Sequence, residues 1–184
     1  MNLILLGIQG SGKGTQARLL KEYGYKIFET GAQLREISAQ DTELGKEVKQ
    51  IIDGGNLVSD KLVCKLAENF IQENPNSPII FDGIPRNQSQ FETVIQMFQQ
   101  KAPNFQVLFF ELDDETAITR LKKRALLEGR HDDTPEVIKK RIEIFKNHTY
   151  PLLDKFKEIC SIITVDASRT IEEVNIETQN KLKL

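Results

Sequence analysis

Glycines 7, 10, 12 and 14 fall between an apolar run of strand length, Asn2 to Leu6, and a helical pattern that extends from about Lys13 to Tyr23. That order constrains the chain more than any other feature, because a strand must feed a tight loop and the loop must open a helix. Glycines suit such a loop because it turns its backbone N–H groups inward around a phosphate, in conformations and at approach distances that a Cβ would obstruct. The helix N-terminus adds partial positive charge, and Lys13 supplies a mobile full charge toward β/γ-phosphates. Gly10, Ser11, Gly12, Lys13, Gly14 and Thr15 are therefore candidate ligands of a nucleoside triphosphate. The general pattern GxxxxGK[ST] is not met to the letter: Gly14 stands where Ser or Thr would, and the hydroxyl is displaced by one residue to Thr15. The bland alternative is a glycine-rich turn with no ligand, and the lysine in a strand-to-helix context argues against it.

Short β-rich runs alternate with helical patterns along the whole chain, which predicts an α/β fold with a parallel sheet covered by helices. The expected strands are Asn2 to Leu6, Lys26 to Glu29, Pro78 to Asp82, Phe105 to Glu111 and Ser161 to Val165. Leu62, Leu66 and Phe70, and Ile95 with Phe98, are expected to form core faces of helices. Thr134-Pro135 marks a helix start, and Thr170-Ile-Glu-Glu173 has capping-box spacing. Asp53-Gly54-Gly55-Asn56 and Glu128-Gly129-Arg130 read as loops, with no linker or repeat between them, so one domain over residues 1–184 is expected.

Lys+Arg at 25 against Asp+Glu at 27 offers no electrostatic reason to expect a nucleic acid or a membrane surface as partner. Cys64 and Cys160 lie far apart without metal-binding spacing, arguing against a disulfide framework or a structural zinc and for a reducing compartment. The start MNLILLG lacks a basic flank and runs directly into the loop, so it reads as a strand and not a signal peptide. A cytoplasmic monomer is the expectation.

A phosphate loop does not by itself separate a switch, a motor and a kinase. Several segments narrow the choice: Gly7-Ile-Gln-Gly-Ser-Gly-Lys-Gly-Thr-Gln16, Thr30-Gly-Ala-Gln-Leu-Arg35, Phe81-Asp-Gly-Ile-Pro-Arg86-Asn-Gln-Ser-Gln90, Arg120 with Arg124, and Gly129-Arg130-His-Asp-Asp133 followed by Arg141. In this order they resemble the adenylate kinase family over nearly the whole chain, and its P-loop, TGDxLR, DGFPRxxxQ and GRxDD segments in particular. The resemblance implies a P-loop NTPase-type five-stranded parallel sheet with helices on both faces, an NMP-binding helical segment over 30–58 and a short lid over 125–133. It implies phosphoryl transfer from ATP·Mg²⁺ to AMP. AMP would be bound by Thr30, Arg35, Leu57, Val58, Gly83, Arg86 and Gln90, together with Arg130 and Arg141. Arg120, Arg124, Arg130 and Arg141 would surround the phosphates, Arg120 also lying against the ATP base, with Ser168, Arg169 and Thr170 bordering the adenine. Asp82 would hold Mg²⁺ through water. Lys13, Arg86, Arg120, Arg124, Arg130 and Arg141 would be the catalytic cations.

The residues agree with this chemistry, since phosphoryl transfer asks for positioning and charge neutralisation more than for acid–base work. The acceptor phosphate, with a second pKa of about 6, is already an anionic nucleophile at neutral pH, so no general base is required. His131 and His148 receive no role. Each arginine also has an ordinary surface reading, Arg120 and Arg124 as i,i+4 residues pairing with nearby acids. Asn87-x-x-Gln90 has capping-box spacing, so Gln90 has a structural alternative as well. Two features depart from the family pattern: Ala32 replaces the acid of TGDxLR, and the segment from Arg124 to Arg130 is too short for the long, sometimes zinc-carrying lid. A UMP/CMP kinase of the same fold is the alternative enzyme, though Thr30 and Gln90 favour adenine, and a catalytically weakened nucleotide-binding protein is the alternative from outside enzymes.

Overall fold

In the computed structural model, which describes residues 1–101, 104–128 and 133–184, five strands form: β1 (Asn2–Gly7), β2 (Lys26–Glu29), β3 (Ile79–Asp82), β4 (Phe105–Glu111) and β5 (Ile162–Asp166). All pair parallel in the order β2-β3-β1-β4-β5, with Leu5 of β1 opposite Asp82 on one side and Leu108 on the other. From β1 the chain crosses to the far edge at β2, returns through β3 beside β1, and then builds β4 and β5 on the other side, so the crevice at the carboxyl end of β1 is a topological switch point. The glycine loop sits there.

The inner strands read as continuous apolar runs because helices bury both of their faces. Alternation still sorts the side chains. Ile4, Leu6, Phe81, Val107 and Phe109 join the core on one face, while Leu3, Leu5, Ile80, Leu108 and Phe110 join that on the other. The second face is covered by α1 (Lys13–Leu19), which continues as a 3₁₀ turn over Leu20–Tyr23, and by α9 (Ile171–Leu182). The remaining helices are α2 (Thr30–Ser38), α3 (Glu43–Asp53), α4 (Asp60–Glu73), α5 (Gln88–Lys101), α6 (Asp114–Glu128), α7 (Pro135–Ile144) and α8 (Leu152–Ile159), with a π-helical turn at Phe145–Thr149.

Both expected helix starts are built as the sequence predicts. Thr134 Oγ1 accepts from Val137 N at 3.3 Å with Pro135 in the first turn. Thr170 and Glu173 form a reciprocal capping box. Leu62, Leu66 and Phe70 of α4 pack against the core as expected but are partly buried, and the deepest residues of that helix are Val63, Ala67 and Ile71. The helix is enclosed widely enough for its apolar stripe to extend beyond the expected ridge, and Phe70 packs on Phe28 with ring centroids 5.6 Å apart. Among the described residues no helix is long and apolar enough to cross a membrane.

Candidate active site

The glycine loop closes on its own lysine. Lys13 Nζ donates to the carbonyl oxygens of Gly7 at 2.7 Å and Ile8 at 3.0 Å, and to Ser11 Oγ at 3.4 Å. Burial lowers the Lys13 pKa to about 8, Asp82 works against that, and Arg86 and Arg124 reinforce it. Gly10 adopts φ +89, and a Cβ there would lie 2.8 Å from the Ala117 carbonyl oxygen, so only glycine lets the loop approach α6 this closely. Asp82 ends β3 beside the loop, and its burial pushes the carboxyl pKa up while Lys13 pulls it down. A Cβ at Gly14 would stand 3.4 Å from Asp82 Oδ2, so the position that carries the hydroxyl in the general pattern faces this carboxylate. Thr15 Oγ1 accepts from Arg18 Nη2 at 3.4 Å. One buried carboxylate and a nearby hydroxyl suit a magnesium ion that keeps most of its waters and arrives with a nucleotide. The described residues hold no group of three or more His, Cys, Asp or Glu that would cage a metal by itself.

A second end of the site lies where β2 and β3 finish. Gly83 adopts φ +89, and its missing side chain makes room for Arg86 Nη2 and for Thr30, which a Cβ would meet at 2.8 and 3.2 Å. Arg86 is half-buried, and its desolvation lowers its pKa, while Asp82 offsets part of that; its Nε donates to Gly83 O at 2.9 Å. Thr149, on the π-helical turn, donates to Arg86 O at 2.7 Å. Arg35 pairs with Glu29 at 3.1 Å. Thr30 is buried and its Oγ1 has no hydrogen-bond partner, so a buried hydroxyl is left for a ligand to satisfy. Gln90 Oε1 accepts from Arg86 N at 2.8 Å, and its Nε2 donates to Asp60 Oδ1 at 2.8 Å. Asn87 Oδ1 accepts from Gln90 N at 2.8 Å, so the capping alternative is realised in part: Asn87 caps α5, and Gln90 reaches back to the residue before the cap.

The third group of residues comes from α6, α7 and the turn before α9. Arg124 and Arg141 share Asp133, whose side chain is 0% exposed, at 2.6 and 2.7 Å. Arg120 donates to the carbonyls of Ala167 at 2.7 Å and Ser168 at 3.0 Å, so its partners are backbone and not the acids that i,i+4 spacing invites. Arg169 pairs with Asp166 and Glu177. Gln16 Nε2 donates to Ile171 O at 3.0 Å, tying the first turn of α1 to the start of α9.

One cavity of about 590 Å³ joins these three groups. It is lined by Gly10 through Thr15, Thr30, Arg35, Leu57, Val58, Asp82, Gly83, Arg86, Gln90, Arg120, Arg124, Arg141, Arg169 and Thr170. Ser168 is the exception: it is exposed, lies outside the lining, and turns its hydroxyl to Asp166 at 2.6 Å. Arg130, His131 and Asp132 lie outside the described residues. His148 is exposed and away from the cavity, and Ala32 does not line it. Gln16, Glu29 and Thr149 do line it, and no local pattern marks them, because the partners of Gln16 and Thr149 are 155 and 63 residues distant in sequence.

Comparison with known proteins bears on the same residues. A family model described as adenylate kinase matches residues 5–161. The chain is 41% identical over 177 residues to the adenylate kinase of Maricaulis maris, covering 95% of this chain and 94% of that one. It is 36% identical over 184 residues to the adenylate kinase of Prochlorococcus marinus strain AS9601, with 98% of both chains covered. The adenylate kinase of Thermus thermophilus is 37% identical over 174 residues, covering 94% and 91%.

Proposed function

This chain belongs to the adenylate kinase family, so its reaction is the reversible transfer of a phosphoryl group from ATP to AMP to give two ADP, and we propose that the three groups around the cavity divide that task among themselves. The observation that carries the assignment is a single cavity with the phosphate loop at one end, the unpartnered Thr30 hydroxyl and Gln90 at the other, and Lys13, Arg35, Arg86, Arg124 and Arg141 lining it. Gly10 to Thr15 hold the phosphates of ATP, with Arg120, Arg169 and Thr170 along the adenine side. Thr30, Leu57, Val58, Gly83 and Gln90 hold the base and sugar of AMP, and Arg35, Arg86 and Arg141 its phosphate. Arg130 joins the phosphate cluster when the lid over 125–133 and the segment over 30–58 close, which excludes water that would otherwise accept the phosphoryl group.

An oxygen of the AMP phosphate attacks the γ-phosphorus of ATP as the bond from that phosphorus to the bridging oxygen breaks, leaving ADP on both sides. No proton has to move, because the acceptor is anionic at neutral pH. The cations do the remaining work by neutralising charge that spreads over the transferring group. A magnesium ion, held through water by Asp82 with Thr15 nearby, would supply further charge neutralisation. Lys13 offsets part of the burial that raises the Asp82 pKa, and a divalent ion would favour the carboxylate further.

A cytoplasmic setting is the reading that two widely separated cysteines without metal-binding spacing suit, and we take the monomer as the working unit. The relatives compared above are adenylate kinases and not UMP/CMP kinases. A coupled assay for ADP from ATP with AMP, CMP or UMP tests the assignment. AMP is expected to be preferred by at least ~100-fold in kcat/KM; equal use of CMP or UMP would overturn it.

A further inference from the structure

We propose that Asp60 fixes which way round the Gln90 amide faces the acceptor base, and thereby sets the choice between 6-amino and 6-oxo purine monophosphates. This rests on the reading above that Gln90 faces that base.

A glutamine amide offers two hydrogens and two oxygen lone pairs, and turning it over exchanges the two ends. Two partners oppose that exchange here. The backbone N–H of Arg86, which can only donate, takes one lone pair of Oε1 at 2.8 Å. Asp60 Oδ1 takes one hydrogen of Nε2 at 2.8 Å. An ionised carboxylate can only accept, so with Asp60 in place the nitrogen end is defined as well. Partial burial disfavours the Asp60 charge, but hydrogen bonds from Asn87, Gln90 and Ser89 hold its carboxyl below the ordinary range. The Asn87 amide reaches the same Oδ1 at 2.9 Å, which anchors the carboxylate from a second side.

One hydrogen and one lone pair of Gln90 then remain for a ligand, in fixed positions. Adenine presents an N1 acceptor and a 6-amino donor, which such an edge complements. A 6-oxo purine presents the reverse, an N1–H donor and an O6 acceptor, and in the same pose it meets donor with donor and acceptor with acceptor. Turning the amide over would accommodate it, and Asp60 is the side chain that opposes this. The position makes sense in the fold, because Asp60 opens α4 directly after the segment over 30–58, and Gln90 lies in the first turn of α5. Asp60 does not line the cavity, so it acts as a positioning residue and not through contact with the nucleotide.

The test compares kcat/KM for AMP and for IMP, at saturating ATP, in the wild type and in Asp60→Ala, Asp60→Asn and Gln90→Ala. Loss of the lock in Asp60→Ala is expected to lower the AMP/IMP ratio at least ~5-fold, with KM for ATP unchanged. Asp60→Asn keeps an acceptor oxygen and is expected to hold the ratio within ~2-fold of wild type. Asp60→Ser, too short to reach the amide, takes the place of the alanine variant should that one fail to fold. If Asp60 merely stitches α4 to α5, both substrates suffer equally and the ratio stays put, which overturns the proposal while the base reading survives. A ratio lost equally in Asp60→Asn and Asp60→Ala also overturns it. A ratio unchanged in Gln90→Ala removes Gln90 from the base, and the Asp60 proposal falls with the reading beneath it.

Discussion

Lys13→Met should make this protein more stable and far less active, and both effects follow from where the ammonium sits. Burial brings the Lys13 pKa from the ordinary 10.5 to about 8. At ~1.36 kcal/mol per pH unit, carrying that charge at neutral pH costs the ligand-free fold on the order of 3 kcal/mol. Methionine has similar length and no charge to desolvate. Against the gain, Gly7 O, Ile8 O and Ser11 Oγ lose their donor. That loss costs roughly 1–2 kcal/mol, since the loop borders the cavity and water replaces part of it. The net expectation is a ligand-free variant more stable by about 1 kcal/mol at pH 7, or a Tm about 2–4 °C higher. The sign with pH follows from the lowered folded pKa: the unfolded chain binds more protons between about 8 and 10.5, so wild-type stability gains on the variant as pH rises through that window. Urea unfolding at pH 7 and near pH 10 should therefore show the advantage of the variant shrinking. Turnover in the ADP-coupled assay should fall at least ~100-fold, because the charge acts on the transferring group. A folded variant that is less stable at pH 7, a difference indifferent to pH, or near-normal turnover would refute the reasoning.

Three further outcomes are expected. Gln16→Leu removes the bond to Ile171 O and should raise KM for ATP about 5-fold while KM for AMP stays within about 2-fold, measured by varying each nucleotide in turn. Asp133→Ala leaves Arg124 and Arg141 without their shared carboxylate and should cost about 2–4 kcal/mol in urea unfolding, the lower end reflecting their partial exposure; a loss below about 0.5 kcal/mol would remove the pair from the account. A ligand joining two adenosines through five phosphates should bind more tightly than ATP and protect residues 30–58 as well as the loop from hydrogen exchange, and protection confined to the loop would count against closure over a second nucleotide.

The strands were legible because a parallel strand buried on both faces leaves an unbroken apolar run, as in residues 79–81 of β3 and 107–110 of β4. β5 is displaced by one residue to Ile162–Asp166, where one face is partly open, while β2 at the other edge stands over the residues expected. Most of the site was legible for a related reason, since the glycines and Pro85-Arg86 stand directly after strands, where chain direction alone sets the position. What escaped notice depends on distant partners. The π-helical turn rests on a bond from Tyr150 N to Phe145 O at 2.7 Å that no local pattern announces, yet this turn aims Thr149 at Arg86. Asp60 looks like an ordinary first-turn acid complementing a helix dipole, and only the fold brings Gln90 to it. Asp133 is a plain acid after a loop signal in the sequence, and only packing puts it between Arg124 and Arg141.

The ligand-free site already gives its cations acceptors, and the kind of acceptor differs with the role proposed for each. Lys13 and Arg86 rest on carbonyl oxygens, of Gly7 and Ile8 for the one and Gly83 for the other. A phosphate is a stronger acceptor than a neutral carbonyl for either group, so exchange of partners favours the nucleotide, and desolvation of both side chains has already been met by the fold. Arg124 and Arg141 instead hold a buried carboxylate that matches a phosphate in charge-assisted bonding. Exchange there would take from buried Asp133 the two cations that hold it, so these two are expected to keep it. Arg35 is intermediate, paired with the half-buried Glu29 across 3.1 Å. Under the function proposed above, the cations held by neutral groups are therefore expected to move onto substrate and the acid-paired Arg124 and Arg141 to stay in place. Such a division would let the site neutralise a transferring phosphoryl group without meeting a bare cluster of like charges when the cavity is empty.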